Sequence, residues 1–104
     1  MDAYDIYGTN FDLNSTKKTL EMCLSLQFEK RDSSYFGEYF IAGDRGGEHL
    51  EIKKNLDLTD GGPLKPEFSN YSVLIFVNCT KRSDEIHFLL KKAKMERLSH
   101  NLYD

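Results

Sequence analysis

Apolar positions in this chain recur with two different periods, and the switches between them mark out the elements. From Tyr4 to Tyr7 the pattern alternates, Tyr4 and Ile6 against Asp5 and Tyr7, which predicts a short first strand ending at Gly8. The spacing then turns helical. Leu13, Thr16, Leu20, Cys23 and Leu24 fall on one stripe with Lys17, Lys18 and Glu21 off it, and Asp12 or Asn14 stands where an N-cap oxygen is needed. Alternation returns at Leu26 and Phe28 against Gln27 and Glu29, and resumes after the turn residues Asp32, Ser33 and Ser34 as a strand from Tyr35 to Ala42. There the pattern leaves the buried face undecided: Phe36, Glu38, Phe40 and Ala42 share one side, and Tyr35, Gly37, Tyr39 and Ile41 the other. The run Gly43-Asp44-Arg45-Gly46-Gly47 supplies the freedom for a reversal. His49 to Lys53 returns, with Leu50 and Ile52 inward and His49, Glu51 and Lys53 outward.

The stretch from Asn55 to Asn70 carries both prolines and two adjacent glycines, so no regular element is expected through its middle. An ordered connection of this length is a candidate contact surface. Tyr71 to Val77 is the most apolar run and suits a central strand covered on both faces. Thr80 or Ser83 can cap a last helix with Asp84 and Glu85 in its first turn, Lys91, Lys92, Lys94 and Arg97 at its other end, and Ile86, Leu89, Leu90 and Ala93 as its stripe. The tail from Leu98 to Asp104 lacks a strong period and is expected to be frayed or extended. The order predicts one α+β domain over 1–104, a mostly antiparallel sheet of four or five strands with two helices on one face and the first and last strands near its centre.

Composition narrows this little. An apolar share of 39% in 104 residues supplies a core without metal or disulfide, and a net charge of -3 is too small to predict disorder. The slight acidic excess disfavours nucleic acid and favours a basic protein partner. Cys23 and Cys79 stand far apart with no CxxC, so neither a zinc site nor any cofactor is expected, and both fit as small core residues. The start MDAYDIYGTN has neither a basic lead nor an apolar run, and no segment reaches membrane-spanning length, so a cytoplasmic location is expected.

Three chemistries have residues to support them. His49 beside Glu48 and Glu51 could work as acid and base in a small hydrolytic enzyme, but a zincin requires HExxH on a helix, and GDRGG lacks the phosphate-loop spacings. The basic residues Lys91, Lys92, Lys94 and Arg97 of the last helix and its exit could touch nucleic acid, yet YSVLIFV has no basic residue of the kind an RNA-binding sheet interleaves with its aromatics. The third pattern is a protein-binding surface. Tyr35, Glu38, Tyr39, Asp44, Arg45 and Glu48 crowd the hairpin, joined by Asp57 and Asp60 of the loop, and tyrosine and arginine are favoured anchors at interfaces.

DIYGTNF (Asp5 to Phe11), FEKRDSSYFGEYF (Phe28 to Phe40), GGEHLEIKKNLD (Gly46 to Asp57) and PEFSNYSVLIFVN (Pro66 to Asn78) together resemble small bacterial immunity proteins of contact-dependent growth inhibition and related polymorphic toxin systems. Arg31, Ser33, Ser34, Tyr35, Gly37 and Tyr39 carry the most telling part of that likeness. The resemblance implies a cytoplasmic, non-enzymatic protein that binds the C-terminal domain of one cognate toxin, often a nuclease, and blocks its active site or an essential surface.

Overall fold

A computed structural model describes residues 1–103. Strand β1 (Asp2–Thr9) is longer than the alternation from Tyr4 to Tyr7 suggests, because its ends are held by main-chain pairing on both sides. Helix α1 (Leu13–Leu24) starts at Asp12, whose Oδ1 accepts the Ser15 N–H at 2.7 Å, and buries Leu13, Thr16, Leu20 and Leu24. Strands β2 (Glu29–Ser33), β3 (Gly37–Gly43) and β4 (His49–Lys54) follow as a meander. Leu26 to Phe28 stand outside β2, and the Phe28 N–H is donated to Glu21 at 3.0 Å, which turns the chain off α1. Gly43 closes β3 at φ +90°, where an added Cβ would lie 2.3 Å from the Glu48 carbonyl oxygen, so the reversal requires glycine there.

The long connection is ordered largely by one side chain. Asn55 donates from Nδ2 to the carbonyls of Phe68 (3.0 Å) and Tyr71 (3.1 Å) and accepts the Lys65 N–H at 2.8 Å. Its only regular piece is a single 3-10 turn at Pro66–Phe68. Strand β5 (Val73–Thr80) then lies between β4 and β1, α2 (Ser83–Lys92) follows, and β6 (Glu96–Tyr103) ends the described chain. Neither Thr80 nor Ser83 caps the first turn of α2 as expected. Arg82 is the N-cap without a side-chain bond, while Ser83 donates its hydroxyl to Asp5.

The sheet has six strands in the order β2-β3-β4-β5-β1-β6, antiparallel throughout. This corrects the expectation of four or five. The missed strand is the tail, which is paired rather than frayed: ERLSHNLY is polar and mostly exposed because it forms an edge, and its apolar residues are too sparse to show the period of two. The α+β class and both helices on one face agree with the sequence, and of the two strands expected near the centre β5 lies there while β1 is next to the edge strand β6.

Leu13, Leu20 and Leu24 of α1, Ile86 and Leu90 of α2, and Tyr7, Phe40, Ala42, Leu50, Ile52, Ile75 and Val77 of the sheet form one core, to which Cys23 is packed. Cys79 instead occupies a left-handed position (φ 54°) near the end of β5 and is free, as Cys23 is. Among the described residues no helix is long and apolar enough to cross a membrane.

Candidate functional site

Because both helices occupy one face, the other is covered by no helix, and the strand register fixes which residues share it. Glu29, Ile41, Glu51, Phe76, Ile6 and Ser99 are direct partners in one row across all six strands. Arg31, Tyr39, Lys53, Leu74, Gly8 and Glu96 make the next row. Tyr39, Ile41 and Leu74 are buried on this face as Phe40 and Ala42 are on the other, so β3 is covered on both sides and the undecided alternation of its sequence has a structural reason.

Charge is organised over that apolar floor. Glu51, buried to 9% exposure, receives Lys53 at 3.1 Å and Arg45 at 3.4 Å. The Lys53 ammonium lies 4.2 Å from the centre of the Phe36 ring and 4.9 Å from that of Phe76, a cation–π setting that lets a lysine sit in mid-sheet. At the β2–β3 side, Gln27, Glu29, Arg31, Ile41, Asp44 and Arg45 line a groove of about 580 Å³. Arg45 and Arg31 are its exposed cations, with side chains 65% and 51% accessible.

The residues expected to bind a partner are not all brought together. Asp44, Arg45 and Glu48 lie at the β3–β4 turn, whereas Tyr35, Asp57 and Asp60 lie at the opposite end of the hairpin, about 20 Å away at the usual strand rise. That far corner is built by the Leu58 N–H donating to the Tyr35 carbonyl at 2.7 Å, and it leaves Tyr35 and Leu58 exposed. Glu38 follows Phe40 to the helix side and pairs with Lys30 at 2.9 Å. Tyr39 is buried, its ring edge-on to Phe36.

Most of the carboxylates are already engaged within the chain. Glu48 is gripped by the Arg82 guanidinium, with Nε to Oε1 and Nη2 to Oε2 both at 2.9 Å, and accepts the Thr80 hydroxyl. Arg82 first, then Thr80, holds the Glu48 carboxyl below the ordinary glutamate range against the opposing effect of burial. Asp57 accepts from the Thr59 hydroxyl and N–H, which lower its pKa, and Asp60 accepts the Gly62 N–H. Asp44 accepts the Gly46 N–H inside its own turn. His49 donates its Nδ1–H to the Gly47 carbonyl (2.9 Å), and no hydrogen bond or ion pair joins it to Glu48 or Glu51 among the described residues.

Sequence reasoning missed one polar cluster altogether. Asp5, 1% exposed on β1, accepts the Ser83 hydroxyl at 2.5 Å and meets His100 Nδ1 at 2.6 Å, joining β1, α2 and β6. Asp5 and His100 lie 95 positions apart, so no local spacing could reveal them; the only sequence signal is an aspartate on the inward side of a strand. Among the described residues no group of three or more His, Cys, Asp or Glu is placed to hold a metal ion. The chain matches no protein-family model, and a search of the curated proteins finds no match.

Proposed function

We propose that this protein is an immunity-type inhibitor which docks on a cognate toxin domain through the sheet face left open by the helices. The single observation that carries the proposal is that face: a buried aromatic and aliphatic floor, a central lysine–glutamate pair, and a groove whose exposed arginines, paired to Glu29 at 2.8 Å and to Glu51 at 3.4 Å, keep further N–H donors for a partner's carbonyls. The likeness of the Arg31 to Tyr39 segment to immunity proteins supplies the kind of partner, a toxin C-terminal domain with nuclease activity, met in the cytoplasm. The net charge of -3 favours a basic one. Arg31, Tyr35 and Arg45 are the anchors in this account. Asp57, Asp60 and Glu48 are given the lesser task of shaping loops, since their carboxylates are already bonded.

Co-expression with the product of the adjacent upstream reading frame, the expected place of a cognate toxin, tests the proposal. Affinity capture and rescue of growth are expected for the wild type and lost in the Arg31→Glu/Tyr35→Ala/Arg45→Glu variant, whereas Lys18→Glu on the outer side of α1 leaves both intact. Full capture and rescue by the triple variant would move the interface elsewhere, and failure of the wild type would remove the proposal.

A further inference from the structure

We propose that the groove between the end of α2 and the start of β6 is a binding site for a phosphate group, independent of the open sheet face. His87, Lys91, Lys94, Met95, Glu96 and Arg97 line this cavity of about 450 Å³. His87 and Lys91 project from one side of α2 at i and i+4, Lys94 from the turn beyond it, and Arg97 from β6, so the donors converge from three elements.

The cations of the groove lack counter-charges. Lys91, Lys94 and Arg97 make no ion pair among the described residues, although seven other lysines and arginines do. The one carboxylate at its border is turned away, because Glu96 accepts the Tyr71 hydroxyl at 2.5 Å and Tyr71 lies over Gly8 on the opposite sheet face. Arg97 carries the clearest deficit: its guanidinium lies beside the Tyr7 hydroxyl, whose pKa it pulls down against burial, yet its buried Nη1 meets no acceptor in hydrogen-bond geometry among the described residues. A buried guanidinium N–H without a partner is costly, and an acceptor-only ligand removes that cost. A tetrahedral oxyanion offers separate oxygens to donors arriving from several directions, which a planar carboxylate does less well.

The helix end would ordinarily repel an anion, but its carbonyls are occupied. The N–H groups of Ala93, Lys94 and Met95 are donated to the carbonyls of Leu89, Leu90 and Lys91. His87 also senses the local field. Burial first, then Arg97 and Lys91, lower its pKa against the weaker pull of Asp5 and Asp84, while Tyr7, whose hydroxyl lies 3.4 Å from His87 Nδ1, is pushed up to about 12 mainly by burial.

Nuclear magnetic resonance of the full chain at constant ionic strength tests the site, with inorganic phosphate as the first probe and a nucleoside 5′-monophosphate as the second. Saturable shifts of the His87 ring and the Lys94 and Arg97 amides are expected, with the His87 titration midpoint moving up as phosphate is added. Lys91→Ala/Lys94→Ala, at two exposed positions, should weaken binding by about tenfold or more while the amide spectrum away from the groove stays that of the wild type. Tighter binding of the nucleotide identifies a small phosphate ester as the occupant, and equal binding identifies the phosphate group alone. Shifts that chloride reproduces, that fail to saturate, or that persist unchanged in the double lysine variant would overturn the site.

Discussion

Asp5 shows how a single side chain ties distant parts of this protein together. Its carboxylate is fully buried between Ser83 of α2 and His100 of β6, so Asp5→Ala leaves a hydroxyl and an imidazole without their acceptor. A loss of about 2–4 kcal/mol in chemical denaturation is expected, in the range for breaking a buried polar network. Glu48 gives a pH dependence instead. Its folded pKa is lowered from 4.5, so the stability it contributes is present above that value and is lost as pH falls through the lower folded value. Glu48→Gln should therefore flatten the acid limb of a melting-temperature profile below about pH 4.5 and lower the plateau at neutral pH, since Arg82 loses its charged partner. Neither pairing was legible beforehand. Glu48 and Arg82 stand 34 positions apart, and the glutamate looked like part of an interface because nothing local showed what holds it.

Where local rules decide an element, the sequence was enough. The Asp12 cap, the stripe on α1, the acidic first turn and basic last turn of α2, and the glycine-rich reversal after Ala42 all follow from side-chain chemistry within a few residues. Edge strands follow another rule, since they draw their hold from a neighbour's backbone rather than from a buried face of their own. Hence the sequence of β6 shows no strand period, and the alternation that starts at Leu26 runs ahead of β2, which begins at Glu29. The same reasoning predicts hydrogen exchange. Amides of β2, with four exposed residues of five, should exchange well before those of β4 and β5, which lie in mid-sheet. Equal protection across the sheet would show that the edges unfold only globally. Gly43→Ala tests the hairpin itself: a Cβ at φ +90° pressed on the Glu48 carbonyl should cost about 2 kcal/mol or more in a thermal or urea melt.

At the scale of the molecule, the two faces of the sheet divide the work. One carries the core beneath both helices, and the other holds aromatic rings, Lys53 and Glu51 in two adjacent rows that the strand register alone creates. Alternation in the sequence pointed to two faces on β3 without saying that both are covered, because the cover over Tyr39 and Ile41 comes from other strands and from Phe36. The expected contact residues thus fall into two clusters at opposite ends of the hairpin, with the Arg31 and Arg45 groove along β2 and β3. The most direct test is a hydrogen-exchange footprint of this chain bound to the product of the adjacent upstream reading frame, the proposed partner. Protection is predicted over residues 29–33 and 39–45 and at the Tyr35 and Leu58 corner, with the outer sides of α1 and α2 unchanged. Protection confined to the helices, with the open sheet face exchanging as in the free protein, would contradict the account.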